Sequence, residues 1–278
     1  MGVGENVGEN VGENTGQNRS IILPTYTPLI ADNMSTETIG QEYVGPLGTY
    51  FTNGTAVITD ERSHSGTKSN KVSFTHNSNS FGGGDDLVLD YGPGSTLWYR
   101  CYFYFPSTLS FSNAGGHDAW GWGKFLMMCK RGHISPRAYL QLTSQIQLDY
   151  GDSGFDQTKT YIINDGSLGN CTSGEDVLPR DQWTALQLAW KISSTGDGWY
   201  RAWADDTYLG GCDAPNVPDG YTVATWGIGN YWNGLAWVQG DSTSAFYIDD
   251  IIITADQPNT VDSGGRPYIH PSHYPSQF

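Results

Sequence analysis

The strongest alternation of apolar and polar residues lies between Leu97 and Gly132. Two aromatic, β-forming runs flank a polar segment centred on Gly115, a pattern that predicts a long β-hairpin. A register symmetric about Gly115 sorts the side chains, because alternate residues of a strand point to opposite faces. One face is nearly all apolar: Tyr99, Cys101, Phe103, Phe105, Phe125, Met127 and Cys129. The other is cationic and aromatic, and is either plain surface or one wall of a ligand-binding groove: Arg100, Tyr102, Tyr104, Lys124 and Lys130.

Short alternating runs continue along the rest of the chain, separated by turn signals such as Asn53-Gly54 and Ser65-Gly66. Glu, Lys and Ala are sparse, and no convincing helix pattern occurs. About a dozen predicted strands with frequent turns are typical of a sandwich. The predicted fold class is therefore all-β, a two-sheet antiparallel jelly-roll sandwich.

The chain divides into four segments by composition. Residues 1–18 repeat a VGEN-like tetrapeptide, which cannot form a core and predicts an arm that is flexible or binds a neighbouring subunit. Residues 19–45 contain Pro24 and Pro28, which exclude a central strand. Residues 46–256 are predicted as the jelly-roll domain and 257–278 as an irregular C-terminal tail. If residues 1–18 bind a neighbouring subunit, the protein self-associates through this arm.

Charge restricts the partners. The formal net charge of the 278 residues is -15, which excludes nucleic acid and anionic membranes as expected partners. No apolar run is long enough to span a membrane, and no signal peptide is visible at the N-terminus. The expected location is extracellular or on a virion surface.

Four cysteines are present, and none forms a C-x-x-C pair. Cys101 and Cys129 face each other in the hairpin register, as a cross-strand disulfide or, slightly favoured by the apolar pattern, as two buried thiols. Cys171 and Cys212 lie in loop-like segments and could form a bridge.

Polar side chains gather on one face of the next predicted strands. Arg137, Tyr139 and Gln141 alternate with aliphatic residues, and Gln147 continues the pattern. This face is either surface or the floor of a binding groove. Trp122 and Trp232 lie in Gly-rich segments and are candidate sugar-stacking residues.

Four pieces of the chain, taken together, resemble concanavalin A-like jelly-roll domains, especially polysaccharide lyases of the family that includes viral and molluscan alginate lyases. They span about residues 60–254: SHSGTKSNKVSF, WYRCYFYFP with GKFL, WTALQLAWKISSTGDGWYRAWADDTYLG and AFYIDDIIIT. The resemblance implies a polysaccharide partner. It places Lys124 in the active groove and matches the family's Ser-x-Arg to Ser135 and Arg137.

The family's Tyr-x-Tyr pair is absent where the resemblance expects it, since that stretch reads Gln147-Leu148-Asp149. Tyr139 or Tyr150 could substitute. The predicted catalytic residues are therefore Lys124, Arg137 and Tyr139. Ligand-binding residues are expected from both polar faces and the loop aromatics: Arg100, Tyr102, Tyr104, Gln141, Gln147, Trp122 and Trp232.

No cofactor is required for this chemistry, but folds of this type often hold a structural Ca²⁺ ion through an Asp of the last strand. Asp249 and Asp250 are the candidate metal ligands. As neighbours in a strand, they are expected to point to opposite faces.

Three functions remain open from the sequence. The first is a glycan-binding protein with a lyase-like groove. The second is an active lyase that cleaves a uronic acid polymer by β-elimination. The third is a structural protein of a virion or filament that uses the fold as a surface module.

Overall fold

The computed structural model describes residues 24–43, 54–75, 86–107, 122–130, 134–143, 159–165, 176–177, 179–213, 223–233 and 243–278. Regular structure in these ranges is all strand apart from a 3₁₀-helix at Pro275–Gln277. In chain order the strands are β1 (Pro28–Asp32), β2 (Gly54–Thr59), β3 (Ser69–Thr75), β4 (Asp86–Tyr91), β5 (Thr96–Tyr104), β6 (Trp122–Lys130), β7 (Ile134–Thr143), β8 (Lys159–Asp165), β9 (Asp176–Val177), β10 (Trp183–Lys191), β11 (Trp199–Ala204), β12 (Thr207–Asp213), β13 (Val223–Asn233), β14 (Thr243–Thr254), β15 (Thr260–Val261) and β16 (Pro267–Tyr268).

These strands form two large antiparallel sheets and one small pair. Within the described ranges, the first sheet has eight strands in the order β12-β11-β10-β5-β14-β3-β2, with β1 also paired to β14. The second has six strands in the order β4-β13-β6-β7-β8-β9. Strand β10 of the first sheet contacts β6 and β7 of the second. The predicted all-β sandwich is confirmed.

The inner face of the eight-stranded sheet forms the core. Alternate residues of β5, β10 and β14 are buried there, and each large apolar side chain removed from water contributes about 1.5–3 kcal/mol. The largest members of this cluster are aromatic: Tyr43, Tyr99, Phe103, Phe105, Trp190, Tyr200 and Phe246. The apolar face predicted for Leu97–Phe105 is thus confirmed.

The predicted hairpin between β5 and β6 is wrong. Strand β5 lies between β10 and β14 in the eight-stranded sheet, whereas β6 lies between β13 and β7 in the other. Alternation identifies the apolar side of a strand, but it does not identify the strand that pairs with it. Cys101 accordingly has no cross-strand partner in β6, and it is a free, buried thiol.

The C-terminal segment 255–278 covers part of the outer face of the eight-stranded sheet. Tyr268 and Ile269 pack with Trp98, Ala189 and Trp203 in a second apolar cluster. Beside it, the fully buried Arg100 side chain donates hydrogen bonds to three backbone carbonyls of this segment, those of His270, Pro271 and His273. The segment predicted as a tail is therefore an integral part of the domain.

The sheet also begins earlier than residue 46, the predicted start of the domain. Strand β1 pairs with the second half of β14, from Pro28 opposite Thr254 to Asp32 opposite Ile251. Pro28 opens the strand at the sheet edge, where its missing N–H costs no ladder hydrogen bond. In the described ranges, no helix has the length and apolar character needed to cross a membrane.

Candidate functional site

The central strands of the six-stranded sheet carry the predicted catalytic residues. Lys124 lies in β6, and Arg137 and Tyr139 lie in the neighbouring strand β7. Ser135 precedes Arg137 in the same strand, so the Ser-x-Arg motif directly neighbours the strand that carries Lys124. The sheet thus brings the two main motifs onto adjacent strands.

The register places four polar or aromatic residues in one row across this sheet. Lys124 is the Cα partner of Gln141 in β7 and of Tyr231 in β13. Gln141 is in turn the partner of Tyr161 in β8. Neighbouring strands lie about 4.8 Å apart, so this row spans roughly 15 Å. We call Tyr231, Lys124, Gln141 and Tyr161 the Lys124 row.

The other predicted residues of this sheet lie near the row but not in it. Tyr139 pairs with Met127 and Ile163, and Arg137 with Cys129 and Asp165. At about 3.3 Å per residue, Tyr139 and Arg137 lie roughly 7 and 13 Å along β7 from Gln141, at positions of the same face. Trp122 is the Cα partner of Asn233. Trp232, the residue before Asn233, is the partner of Gly123. Gln147 and Tyr150 lie outside the described residues.

Arg100, Tyr102 and Tyr104 do not share a face with Lys124, because β5 belongs to the other sheet. The expectation of one joint cationic face is wrong. Tyr102 Oη donates a 2.5 Å hydrogen bond to the Pro271 carbonyl, beneath the C-terminal segment. Tyr104 lies under the exposed Arg62, whose Nη1 donates to Tyr104 Oη at 2.9 Å. Their predicted roles in ligand binding stay predictions.

A second polar cluster joins the turn before β3 to a bulge in β14. The backbone N–H groups of His64 and Ser65 donate to Asp249 Oδ2 at 2.7 and 3.2 Å. Ser65 Oγ donates to Asp250 Oδ1 at 2.5 Å, and His64 Nδ1 lies 2.6 Å from Asp250 Oδ2. The His64 ring stacks on Tyr102 with centroids 3.5 Å apart.

Both carboxylates therefore face the same turn, and the expectation of opposite faces is wrong. The pairing of β14 with β5 is irregular between Asp249 and Ile252, and Asp250 has a left-handed backbone with φ +49°. This bulge turns the second carboxylate toward the first. Burial, reinforced by the charge of Asp250, raises the pKa of the Asp249 carboxyl to about 8. One proton at this buried pair relieves the repulsion between two like charges.

The surroundings of Asp249 and Asp250 do not match a calcium site. Ca²⁺ takes about six to eight oxygen ligands. Here all four carboxylate oxygens contact N–H or O–H donors or the His64 ring nitrogen. The described residues also contain no group of three His, Cys, Asp or Glu side chains that could hold a metal ion. The structural Ca²⁺ ion stays a prediction, and these contacts do not favour it.

The sequence profile of the polysaccharide lyase family matches residues 30–252, which include both sheets and the Lys124 row. The chain belongs to this polysaccharide lyase family. Among curated proteins, none is significantly similar to it. Family membership confirms the resemblance drawn from the motifs and indicates a protein that acts on polysaccharides.

Solved structures of lyases share the fold. A double mutant of alginate lyase Aly36B in complex with alginate trisaccharide is 13% identical, with a TM-score of 0.56 over 82% of this chain and 98% of that one. The endo-β-1,4-glucuronan lyase of the fungus Trichoderma reesei is 12% identical, with a TM-score of 0.50 over 83% and 96%. At these identities the similarity establishes the fold alone.

Sequence reasoning missed Tyr161, Tyr231 and His64. Tyr161 lies 24 positions after Arg137, beyond the stretch Gln147-Leu148-Asp149 where the resemblance expects the tyrosine pair, and in a strand whose pairing the sequence does not display. Tyr231 lies in the Gly- and Asn-rich stretch GNYWNG, which by itself indicates a loop and not a strand. The signal for His64 was available, since SHSG is a turn motif and Asp249-Asp250 a conspicuous acidic pair in an apolar strand.

Proposed function

We propose that this protein is an active polysaccharide lyase that cleaves a uronic acid polymer by β-elimination at the Lys124 row. Its membership of the polysaccharide lyase family supports action on a polysaccharide. The single observation that carries the catalytic proposal is the register of β13, β6, β7 and β8. It places Lys124 in one row with Tyr231 of the adjacent strand and with Tyr161 two strands away.

β-Elimination imposes three requirements on such a site. A cation or hydrogen-bond donor must stabilise the uronate carboxylate as negative charge moves into it from C5. A base must remove the C5 proton, and an acid must protonate the glycosidic oxygen that leaves from C4. The bond from C4 to that oxygen breaks as the C4–C5 double bond forms.

The Lys124 row contains residue types for each task. Lys124 and Gln141 are the proposed donors to the substrate carboxylate. The proposed proton carrier is Tyr231, one strand from Lys124, or Tyr161, two strands away, since a nearby ammonium favours the phenolate form of a tyrosine. Arg137 and Tyr139, farther along β7, are proposed to bind a neighbouring sugar unit. Trp122, at a position of the same face as Lys124, is proposed to stack on the chain, whereas Trp232 lies at a position of the opposite face.

This function is tested by incubating the full chain with polyglucuronate, polymannuronate and polyguluronate between about pH 6 and 10, where a tyrosine can exchange its proton. The measurement is the ultraviolet absorbance of the unsaturated sugar formed at the new chain end. Product from at least one acidic polymer, and none from a neutral glucan, is the expected result.

Retention on an acidic polymer without any unsaturated product would instead favour a glycan-binding protein with an inactive groove. This is the second candidate, because the family's tyrosine pair is absent at its expected place in the sequence. An extracellular or virion-surface location and self-association through residues 1–18 stay predictions.

A further inference from the structure

Two arginines and two aromatic residues lie together on the outer face of the eight-stranded sheet, at its β11–β12 edge. Trp199 and Arg201 come from β11, Tyr208 from β12, and Arg266 from the turn between β15 and β16. All four side chains are partly exposed. We call them the Arg–aromatic patch.

The guanidinium of Arg266 is held in one orientation. Its Cζ lies 3.6 Å from the centroid of the Tyr208 ring, and its Nε donates to Asp262 Oδ2 at 3.0 Å. Asp262 is itself fixed, because it also accepts from Trp203 Nε1 at 2.9 Å and from the Gly264 N–H at 2.8 Å. In the part of the chain that the structure describes, no residue accepts a hydrogen bond from the two Nη atoms of Arg266.

Arg201 is arranged in a similar way. Its Cζ lies 4.4 Å from the centroid of the Trp199 ring. Its carboxylate neighbour Asp213 is 88% exposed and lies 3.7 Å from Nη2, a separation at which a surface ion pair is weak. The N–H donors of Arg201 can therefore bind a ligand in place of Asp213 at little cost in free energy.

Two glycines make room for these side chains. A Cβ atom at Gly264 would lie 2.5 Å from Nη1 of Arg266. A Cβ atom at Gly211, which pairs with Arg201, would clash first with the backbone carbonyl oxygen of Tyr200, and it would also lie 2.7 Å from Tyr208 Oη and 3.0 Å from Cγ of Arg201. The backbone at this sheet edge thus leaves space for both arginines to lie over the aromatic rings.

We propose that the Arg–aromatic patch is a second binding site for a carboxylate-bearing polysaccharide, on the sheet opposite the Lys124 row. A guanidinium fork matches a carboxylate in two parallel hydrogen bonds, and an aromatic ring accepts the apolar face of a sugar. Two guanidinium groups in one patch favour a polymer that carries a carboxylate on each repeating unit. The choice of a uronic acid polymer rests on the proposed function. Binding there keeps the polymer close to the protein between cleavage events and so raises its effective concentration at the groove.

The test is native electrophoresis of the full chain through gels that contain increasing polyglucuronate or alginate, with a neutral glucan as reference. All proteins carry Lys124→Ala so that the polymer stays intact. The patch variant combines Arg201→Gln and Arg266→Gln. The matched control combines Arg62→Gln and Lys71→Gln, which removes two positive charges from β3 and the turn before it, on the far side of the same sheet from the patch.

We expect the control to be retarded like its parent and the patch variant to bind about tenfold more weakly, as the loss of charge-assisted hydrogen bonds predicts. Equal retardation of the two double variants overturns the proposal, as does equal retardation by the neutral glucan. Arg201→Gln alone leaves the Asp262 contacts intact, so it tests the site even if the double variant unfolds. It is expected to weaken binding about threefold, and unchanged binding contradicts the proposal.

Failure of the proposed function is a separate result. Absence of unsaturated product from the unsubstituted chain, together with weaker binding by the patch variant, refutes the lyase and keeps the second site. Product formation together with unchanged binding by the patch variant refutes the second site and keeps the lyase.

Discussion

Nδ1 of His64 lies 2.6 Å from Oδ2 of Asp250, although 186 positions separate the two residues in the sequence. This contact joins the turn before β3 to the bulge of β14 and is covered by the stacked ring of Tyr102. The Asp250 side chain is fully buried, and both of its carboxylate oxygens find a side-chain partner in this turn.

We predict that His64→Ala lowers the free energy of unfolding by about 3 kcal/mol, because it leaves a buried carboxylate oxygen without its partner and removes a ring from the stack. Ser65→Ala removes only one hydroxyl donor and is expected to cost about 1 kcal/mol. Urea denaturation followed by tryptophan fluorescence measures both. Equal, small effects of the two substitutions would show that the histidine does not stabilise this pair.

Asp249 makes stability depend on pH. Its carboxyl keeps a proton up to a pKa of about 8 in the folded protein, whereas an unfolded aspartate loses it near about 4. Between these values the folded state binds more protons, so this group's contribution is greatest below about pH 4 and is lost as the pH rises through about 8. We predict that Asp249→Asn flattens the fall in unfolding free energy between about pH 5 and 8.

The control for this pH dependence is Asp60→Asn, at an exposed position in the turn after β2. It should leave the slope of unfolding free energy against pH unchanged. A slope that is the same in Asp249→Asn and in the unsubstituted protein would contradict the assignment to Asp249.

Arg100 fastens the C-terminal segment to the sheet. Replacement by Met keeps much of the length but removes the donors to the carbonyls of His270, Pro271 and His273. We predict a loss of about 3 kcal/mol or more in unfolding free energy, since the charge-assisted hydrogen bonds from a buried guanidinium are lost, although the carbonyls of His270 and Pro271 each keep one other donor. Carboxypeptidase digestion should also release the C-terminal residues sooner. Arg62→Met, at an exposed position, is the control and should change stability by less than about 1 kcal/mol.

The sequence predicts much of the fold, because the alternation of apolar and polar residues along a strand shows which of its faces is buried. The faces of β5, β10 and β14 follow from their apolar residues, and the structure buries those residues as expected. The choice of neighbouring strands cannot be predicted from this alternation. Strand β5 satisfies its hydrogen bonds with β10 and β14, which lie about 80 and 140 positions later, and nothing local in either strand specifies that choice.

The same limit applies to the candidate site. Lys124 and Arg137 are recognisable because they lie in motifs of contiguous residues. Tyr161 and Tyr231 join Lys124 only through the ladders of three strand pairs, and a change of one residue in any ladder would move them out of the row. Arg100 illustrates the opposite error, since a charged residue in an alternating strand indicates a solvent-exposed face, whereas the C-terminal segment buries it.

The most direct test of the account is the rate of unsaturated product formation in four single variants that keep the fold: Lys124→Ala, Tyr161→Phe, Tyr231→Phe and Tyr139→Phe. The Lys124 row predicts that Lys124→Ala and at least one of Tyr161→Phe and Tyr231→Phe lower the rate by about a hundredfold or more, while Tyr139→Phe stays within about tenfold of the unsubstituted protein. Full activity in both Tyr161→Phe and Tyr231→Phe, with the large loss in Tyr139→Phe, would contradict it.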